Sequence, residues 1–488
     1  MLTRARPGGQ RMGGTMEHAA TAAGLELPDG FAGEAIRPGG KGYDEARSVY
    51  NGMVDRRPAL VVRPAGAADV IDAVNLARDR RLPLAVRCGG HSVAGKSACD
   101  GGVLVDLGSL KGTRVDRARR TARANGGVVW GEFDRETQLF GLATSGGRVT
   151  TTGIGGFTLG GGYGWLSPRY GLACDNLVSA DVVTADGRLV TASKAENPDL
   201  FWGICGGGGN FGVVTSYEFQ LHPVGPLVLA GLLVHPIEEA KARIRAYRDY
   251  VESAPEELST ALAILPAPPE PFVPPHLHGK PVLGMVVLYV GDPAEGRDVV
   301  APLQRLGPPL ADLVQPMPYT AFQAILDPFA PRGWLNYHRG EHLAGLPDGA
   351  IDAYVDAGSA VSSPMSQAIM FRHGGAVSRI PDDANAAGNR DAAYMAHPIA
   401  CWQHPAETRR ELEWVYGFSR AMEPYKTGGV YLNFEPDAGS EQVRAGYGTE
   451  KYARLVALKD EWDPGNLFRL NHNIKPSHET PAPIPAWV

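Results

Sequence analysis

Residues 57–91, RPALVVRPAGAADVIDAVNLARDRRLPLAVRCGGH, restrict the fold more than any other stretch of the 488-residue chain. ALVVRP is a short apolar run of strand type. AADVIDAVNLARDR carries Val70, Val74 and Ala77 on one face at helical spacing, with Ile71 beside them. Asp69 falls in the first turn, where a carboxylate suits the helix dipole. LPLAVR is a second strand, so the unit reads β-α-β and runs straight into the turn RCGGHS, residues 87–92. Glycines there leave backbone N–H groups free to converge, and such a nest of amides binds pyrophosphate. Arg87 adds a cation. GGVLVDLGSL (101–110) supplies a further strand.

Two other glycine clusters need separate readings. TGIGGFTLGGGYG (152–164) lets the backbone approach a flat ring, because glycine has no Cβ in the way. With RCGGHS it suggests a long, extended dinucleotide. GGGNFG (207–212) has the letters of a Rossmann fingerprint, but VVTSYEF after it reads as a strand and no acid follows at the required distance. HRGEH (338–342) fits H-x-x-E-H. Gly340 weakens the helix that pattern needs and no third ligand is placed, so no metal is expected. LVSADVVTADGRLVTAS (177–193) is a hairpin turned at Asp186-Gly187. After Pro223 the texture changes to longer helices and separate strands, which puts a boundary near 225.

The net charge of -6 argues against nucleic acid, since no basic stripe is available to displace counterions. Five cysteines without a CxxC pair signal neither a disulfide framework nor a zinc ribbon. No apolar run reaches membrane-spanning length. The basic first residues lack the apolar region of a signal peptide. The expectation is a cytoplasmic protein with no membrane contact and a tail over 1–42 that is poorly ordered at its start.

RCGGHSVAG, VDLGSL, TGIGGFTLGGGYG, RYGLACDNLVSADVVTADG, NPDLFWGICGGGGNFGVVTSYEF and YGTEKYARLVALKDEWDPGNLFRLNHNIKP occur in that order. In this the chain resembles the berberine-bridge-enzyme-like FAD-linked oxidases, of the vanillyl-alcohol-oxidase type of flavoprotein, across residues 43–476. The resemblance implies an α+β fold. Its FAD-binding domain would comprise 43–225 and 447–488. The substrate domain, 226–446, would be an antiparallel sheet flanked by helices and inserted between them. It implies FAD as cofactor, with His91 bonded to the flavin 8α-methyl. Relatives with a second link carry a cysteine four residues before the glycine of GIGG. Here that glycine is Gly153 and the position is Val149, so a single link is expected. The FAD contacts implied are Arg87, Cys88, Gly89, Gly90, His91 and Ser92; Val149, Thr150, Thr152, Gly153, Gly155 and Gly156; Val213 and Val214; and Asn471 and Asn473.

The implied reaction is hydride transfer to flavin from a carbon bearing an alcohol or amine, with the protein supplying position and a proton acceptor. Relatives carry a catalytic tyrosine in Y-x-N-Y; the stretch here is VYLNFEPD (430–437), with Phe434 at the second aromatic position. Asn433 and Phe434 are expected in the substrate pocket. Tyr431 would lie on the opposite strand face from Phe434 by alternation. Tyr163 matches a pocket-lining position of the family, and His397, in AYMAHPIACW, lies near the place of its sheet-borne base. Tyr163, His397 and Tyr431 are the catalytic candidates. In relatives the residue before the GIGG glycine helps decide whether O2 reaches the flavin; here it is Thr152, whose valine-like shape admits O2 while its hydroxyl opposes entry, and the shape makes O2 the expected electron acceptor. The partners expected are thus a small-molecule substrate and O2, on a monomer or homodimer. The missing hydroxyl at Phe434 keeps a second reading open, a flavin protein that binds or cyclises a ligand without redox turnover.

Overall fold

A computed structural model describes residues 24–436 and 438–478. The start of the expected tail lies outside them. The fold is α+β, built on three principal sheets. Strands Leu60–Arg63, Val103–Asp106 and Leu84–Arg87 pair in parallel, in that order, with Glu34–Ile36 antiparallel at one edge. Helix Ala67–Asp79 makes the crossover. It buries Val70, Ala73, Val74 and Ala77, while Ile71 stays half-exposed. Asp69 does more than face the dipole: its carboxylate accepts from the amides of Ala32 (3.0 Å) and Ala65 (2.7 Å), tying the incoming chain to the helix start.

A five-stranded antiparallel sheet follows, ordered Thr113–Asp116, Thr121–Asn125, Val213–Gln220, Leu177–Val183, Leu189–Ser193. The last two strands form the hairpin, and Gly187 (φ 83°) takes the left-handed conformation its turn requires. GGGNFG leads directly into Val213–Gln220, a strand and not a helix.

From Leu227 the chain builds a ten-stranded antiparallel sheet. One face carries Leu262, Ile264, Met285, Met370 and Ala396 against helices Ala240–Val251, Asp348–Ser359 and Thr408–Met422. Alternation sends Ala261, Ala263, Ile369, Phe371 and Met395 to the other face, towards Trp165 and Leu166 of the glycine-rich segment. The chain then returns. Val443, Tyr447, Leu455, Leu458 and Ile474 join the core of the five-stranded sheet. Buried Lys459 fixes that return, because its Nζ donates to Asn210 O (2.8 Å), Phe468 O (2.9 Å) and Asp463 Oδ2 (2.6 Å). Among the described residues no helix is long and apolar enough to cross a membrane.

Candidate active site

A cavity runs between the two glycine-rich segments and the inner face of the ten-stranded sheet. Its lining is asymmetric for a simple reason. The N-terminal part offers loops with little side chain, and the sheet offers every second residue of its strands. Register makes that second wall: Ile369 faces His397, and Gln367 faces Ile399. All four line the cavity.

The first wall suits an extended dinucleotide. Cys88, Gly89, Gly90, His91 and Ser92 line it, and Gly90 is left-handed (φ 73°). The amides of Gly90, His91 and Ser92 have no backbone partner among the described residues, which leaves them free to bind an anion. A Cβ at Gly153 would fall 2.4 Å from Cys88 Sγ and 2.4 Å from Gly89 N, so the two glycine segments press together only because both lack side chains. At Gly156 and Gly209 a Cβ would meet nothing within 4 Å, so the backbone there borders open space. Val149, Thr152, Gly155, Val213, Val214 and Asn471 also line the cavity. Asn471 Oδ1, His472 Nδ1 and Asn473 Oδ1 are buried polar atoms with no partner among the described residues, as expected where a ligand completes the bonding. These residues fit FAD.

Three expected contacts lie outside the cavity lining. The Arg87 guanidinium is buried and engaged in full: Nη2 and Nε donate to Asp106 at 2.6 and 3.2 Å, and Nη1 to Ser48 O at 2.8 Å. It braces the turn and leaves no free cation for phosphate. Lys96 lines the cavity instead. Thr150 points away, its amide and hydroxyl both donating to Asp327 (2.8 and 2.5 Å). Asn473 lies off the cavity, two residues beyond Asn471.

His91 is placed like an anchored ring. It stacks on Tyr50 (centroids 4.2 Å, 16°), and Nε2 lies 2.8 Å from Thr151 Oγ1. Burial, with Arg332 and His338 nearby, holds its pKa down at about 3, so the imidazole is neutral and one ring nitrogen carries its lone pair. Of the five cysteines only Cys88 lines the cavity. Its thiol faces Val128 O (3.4 Å), and burial pushes its pKa up, away from the nucleophilic thiolate.

The catalytic candidates separate. The Tyr163 ring lines the cavity, but its hydroxyl donates to Arg372 O (2.9 Å) and burial raises its pKa, so it is no proton acceptor. Tyr431 is not a cavity residue; its hydroxyl accepts from Tyr163 N (3.0 Å) and Asn433 Nδ2 (3.1 Å). The alternation argument for Tyr431 and Phe434 also fails. The strand ends at Val430 and Leu432–Phe434 is a 3₁₀ turn, which brings the two rings edge to face at 4.9 Å. His397 remains. Its Nδ1–H donates to Arg339 O (2.8 Å), leaving Nε2 as the acceptor nitrogen of a ring that lines the cavity beside Phe434 (3.8 Å). Asn433 lines the cavity too.

Sequence reasoning missed Arg148, Gln367 and Tyr50 and read His338 only as part of a metal pattern; all four are in the lining. Arg148 is buried, donates to the carbonyls of Tyr163 (3.1 Å) and Gly164 (3.4 Å), and lies 3.7 Å over the Phe371 ring. No spacing rule flags a single arginine before a glycine motif. HRGEH is not helical: His338 ends strand Leu335–His338 and His342 lies in Glu341–Leu343.

Comparison with known proteins agrees with this geometry. An FAD binding domain matches residues 58–193, and a berberine and berberine-like domain matches 430–475. An FAD-linked oxidoreductase of Dictyostelium discoideum is 32% identical over 92% of this chain and 96% of its own length. (R)-6-hydroxynicotine oxidase of Paenarthrobacter nicotinovorans is 31% identical, covering 93% and 98%. The crystal structure of 6-hydroxy-D-nicotine oxidase from Arthrobacter nicotinovorans superposes with a TM-score of 0.82 at 30% identity, over 92% of this chain and 99% of that one. With both domains matched and relatives above 30% identity along nine-tenths of the chain, the protein belongs to the berberine-bridge-enzyme-like family of FAD-linked oxidoreductases.

Proposed function

We propose that this oxidoreductase carries FAD bonded through His91 alone, oxidises an alcohol carbon of a small organic molecule, and passes the electrons to O2. FAD held in the cradle supplies the hydride acceptor. The remaining work falls to side chains. His397 Nε2 takes the substrate hydroxyl proton, because an alcohol that is losing its proton releases hydride far more readily. The Arg339 carbonyl fixes the tautomer by accepting from Nδ1. Phe434 packs on the imidazole and keeps water from it. The observation that carries this reading is the tethered, neutral imidazole of His397 on the cavity wall.

The test is anaerobic mixing of the holoenzyme with alcohols, sugars and ring compounds, followed by loss of visible flavin absorbance. Bleaching by an alcohol in the wild type, slowed in His397→Asn, supports the reading. Absence of bleaching by every compound of the panel, despite measurable binding, would instead favour a protein without redox turnover.

A further inference from the structure

His338 belongs to no step so far. It is 8% exposed, lines the cavity, and has no hydrogen-bond partner on either nitrogen among the described residues. A neutral imidazole offers one donor and one acceptor, and leaving both buried and unmet is costly. Its ring meets that of His397 edge to face at 5.4 Å, and register sets it beside Ile399. Two imidazoles thus adjoin on one wall, the first tethered and the second free.

The charge of the lining is equally telling. Among the described residues it includes no aspartate or glutamate, while buried Arg148 puts a cation in the wall beside the substrate sheet. A protonated amine would enter a site with no counter-charge and a buried guanidinium in the wall, which low dielectric makes costly. Aromatic faces offer little relief. One face of Phe371 is covered by Arg148 (3.7 Å), one of Phe434 by His397 (3.8 Å), and one of Tyr163 by His373 (3.7 Å). The rest of the substrate wall carries no charge: Ile369 and Ile399 are apolar, and Gln367 and Asn433 are neutral amides.

We infer that the site takes an uncharged ring compound bearing two neighbouring oxygens, one the reacting hydroxyl at His397 and the other a hydroxyl or carbonyl held by His338. This rests on the oxidation proposed above for the identity of the reacting group, though binding can be read without turnover.

The probes are 2-hydroxybenzyl alcohol, benzyl alcohol and benzylamine, titrated anaerobically into holoenzyme at neutral pH and read by perturbation of the flavin spectrum. 2-Hydroxybenzyl alcohol is expected to bind roughly 5- to 10-fold tighter than benzyl alcohol, the worth of one hydrogen bond. That preference should vanish in His338→Leu and be partly restored in His338→Gln. Benzylamine, cationic at this pH, should bind at least about tenfold more weakly than benzyl alcohol. Equal affinity for amine and alcohol in the wild type overturns the inference whatever the variants do. So does an undiminished two-oxygen preference in folded, flavin-loaded His338→Leu. If the binding pattern holds but no probe bleaches the flavin, the redox reading fails and the binding inference stands.

Discussion

Asp134 offers the sharpest quantitative test of how the two halves are joined. It lies on helix Trp130–Thr137, 1% exposed. Oδ2 accepts from Gln323 Nε2 (2.9 Å), across to the segment that carries Leu326 and Phe329 into the cavity, and Oδ1 has no partner. Burial, opposed only by Gln323, pushes the carboxyl from 3.8 up to about 7. The folded state therefore holds a proton that the unfolded state has released, so stability is greatest below about pH 4 for this group and declines as pH rises through about 7. At about 1.4 kcal/mol per pH unit, the decline amounts to about 4 kcal/mol. Asp134→Asn keeps the acceptor for Gln323 and removes the titration. It should raise the thermal midpoint at pH 8 by several degrees and leave it nearly unchanged at pH 4, since about 4 kcal/mol is large against the entropy of unfolding of a chain this size. Thermal scans of both proteins across that range, at equal flavin loading, supply the measurement. Parallel profiles for wild type and variant would refute the argument, because they would mean that the carboxyl is solvated or paired in a way that burial and one amide do not describe.

Three further outcomes are expected. His91→Ala should release its FAD on acid precipitation, whereas the wild-type pellet stays yellow; a yellow variant pellet, or a flavin peptide containing any of the five cysteines, places the link elsewhere. His397→Asn should slow anaerobic flavin reduction by roughly 10²–10⁴-fold. Burial and neighbouring His338 hold the His397 pKa well below 6.5, so the wild-type rate should be flat through neutral pH and fall only well below pH 6.5, as the base is lost to protonation. A rate that already declines from pH 8 towards 6.5 would assign the acceptor to another group. Thr152→Leu should slow reoxidation of reduced enzyme by O2 in stopped-flow mixing, and unchanged reoxidation would remove Thr152 from the oxygen path.

The parts that were legible in the sequence are those in which backbone does the work. RCGGHS and TGIGGFTLGGGYG must be glycine-rich because Gly89 and Gly153 meet without room for a Cβ, and a requirement of that kind leaves a readable mark. The helix declared itself by period, and the hairpin by its Asp-Gly turn between alternating runs. Side-chain roles did not. Arg87 looked like a phosphate cation, and only the fold shows that strand Val103–Asp106 brings Asp106 against it. Thr150 is likewise claimed by Asp327, far along the chain. His338 sat in a motif suggestive of zinc, and its real setting depends on which strand pairs with Tyr394–Trp402. Such facts are set by long-range register, which no local pattern encodes.

Arg148 shows how one residue missed in this way sets the chemistry of its neighbours. A guanidinium cannot give up its proton in the interior, so the fold has to accommodate a buried charge without a carboxylate partner. It does so with two carbonyls and the face of Phe371, acceptors that neutralise none of the net charge. The positive potential that remains acts on the imidazoles around it. With burial as the larger cause, it helps to keep both His373 and His397 unprotonated. A base that must accept a proton has to start without one. Burial and His338 do more than Arg148 to keep His397 neutral, but the guanidinium acts in the same direction and its potential also opposes a cationic substrate, so the proposed base and the proposed preference for an uncharged substrate are both favoured by a residue that joins the glycine loop to the substrate sheet.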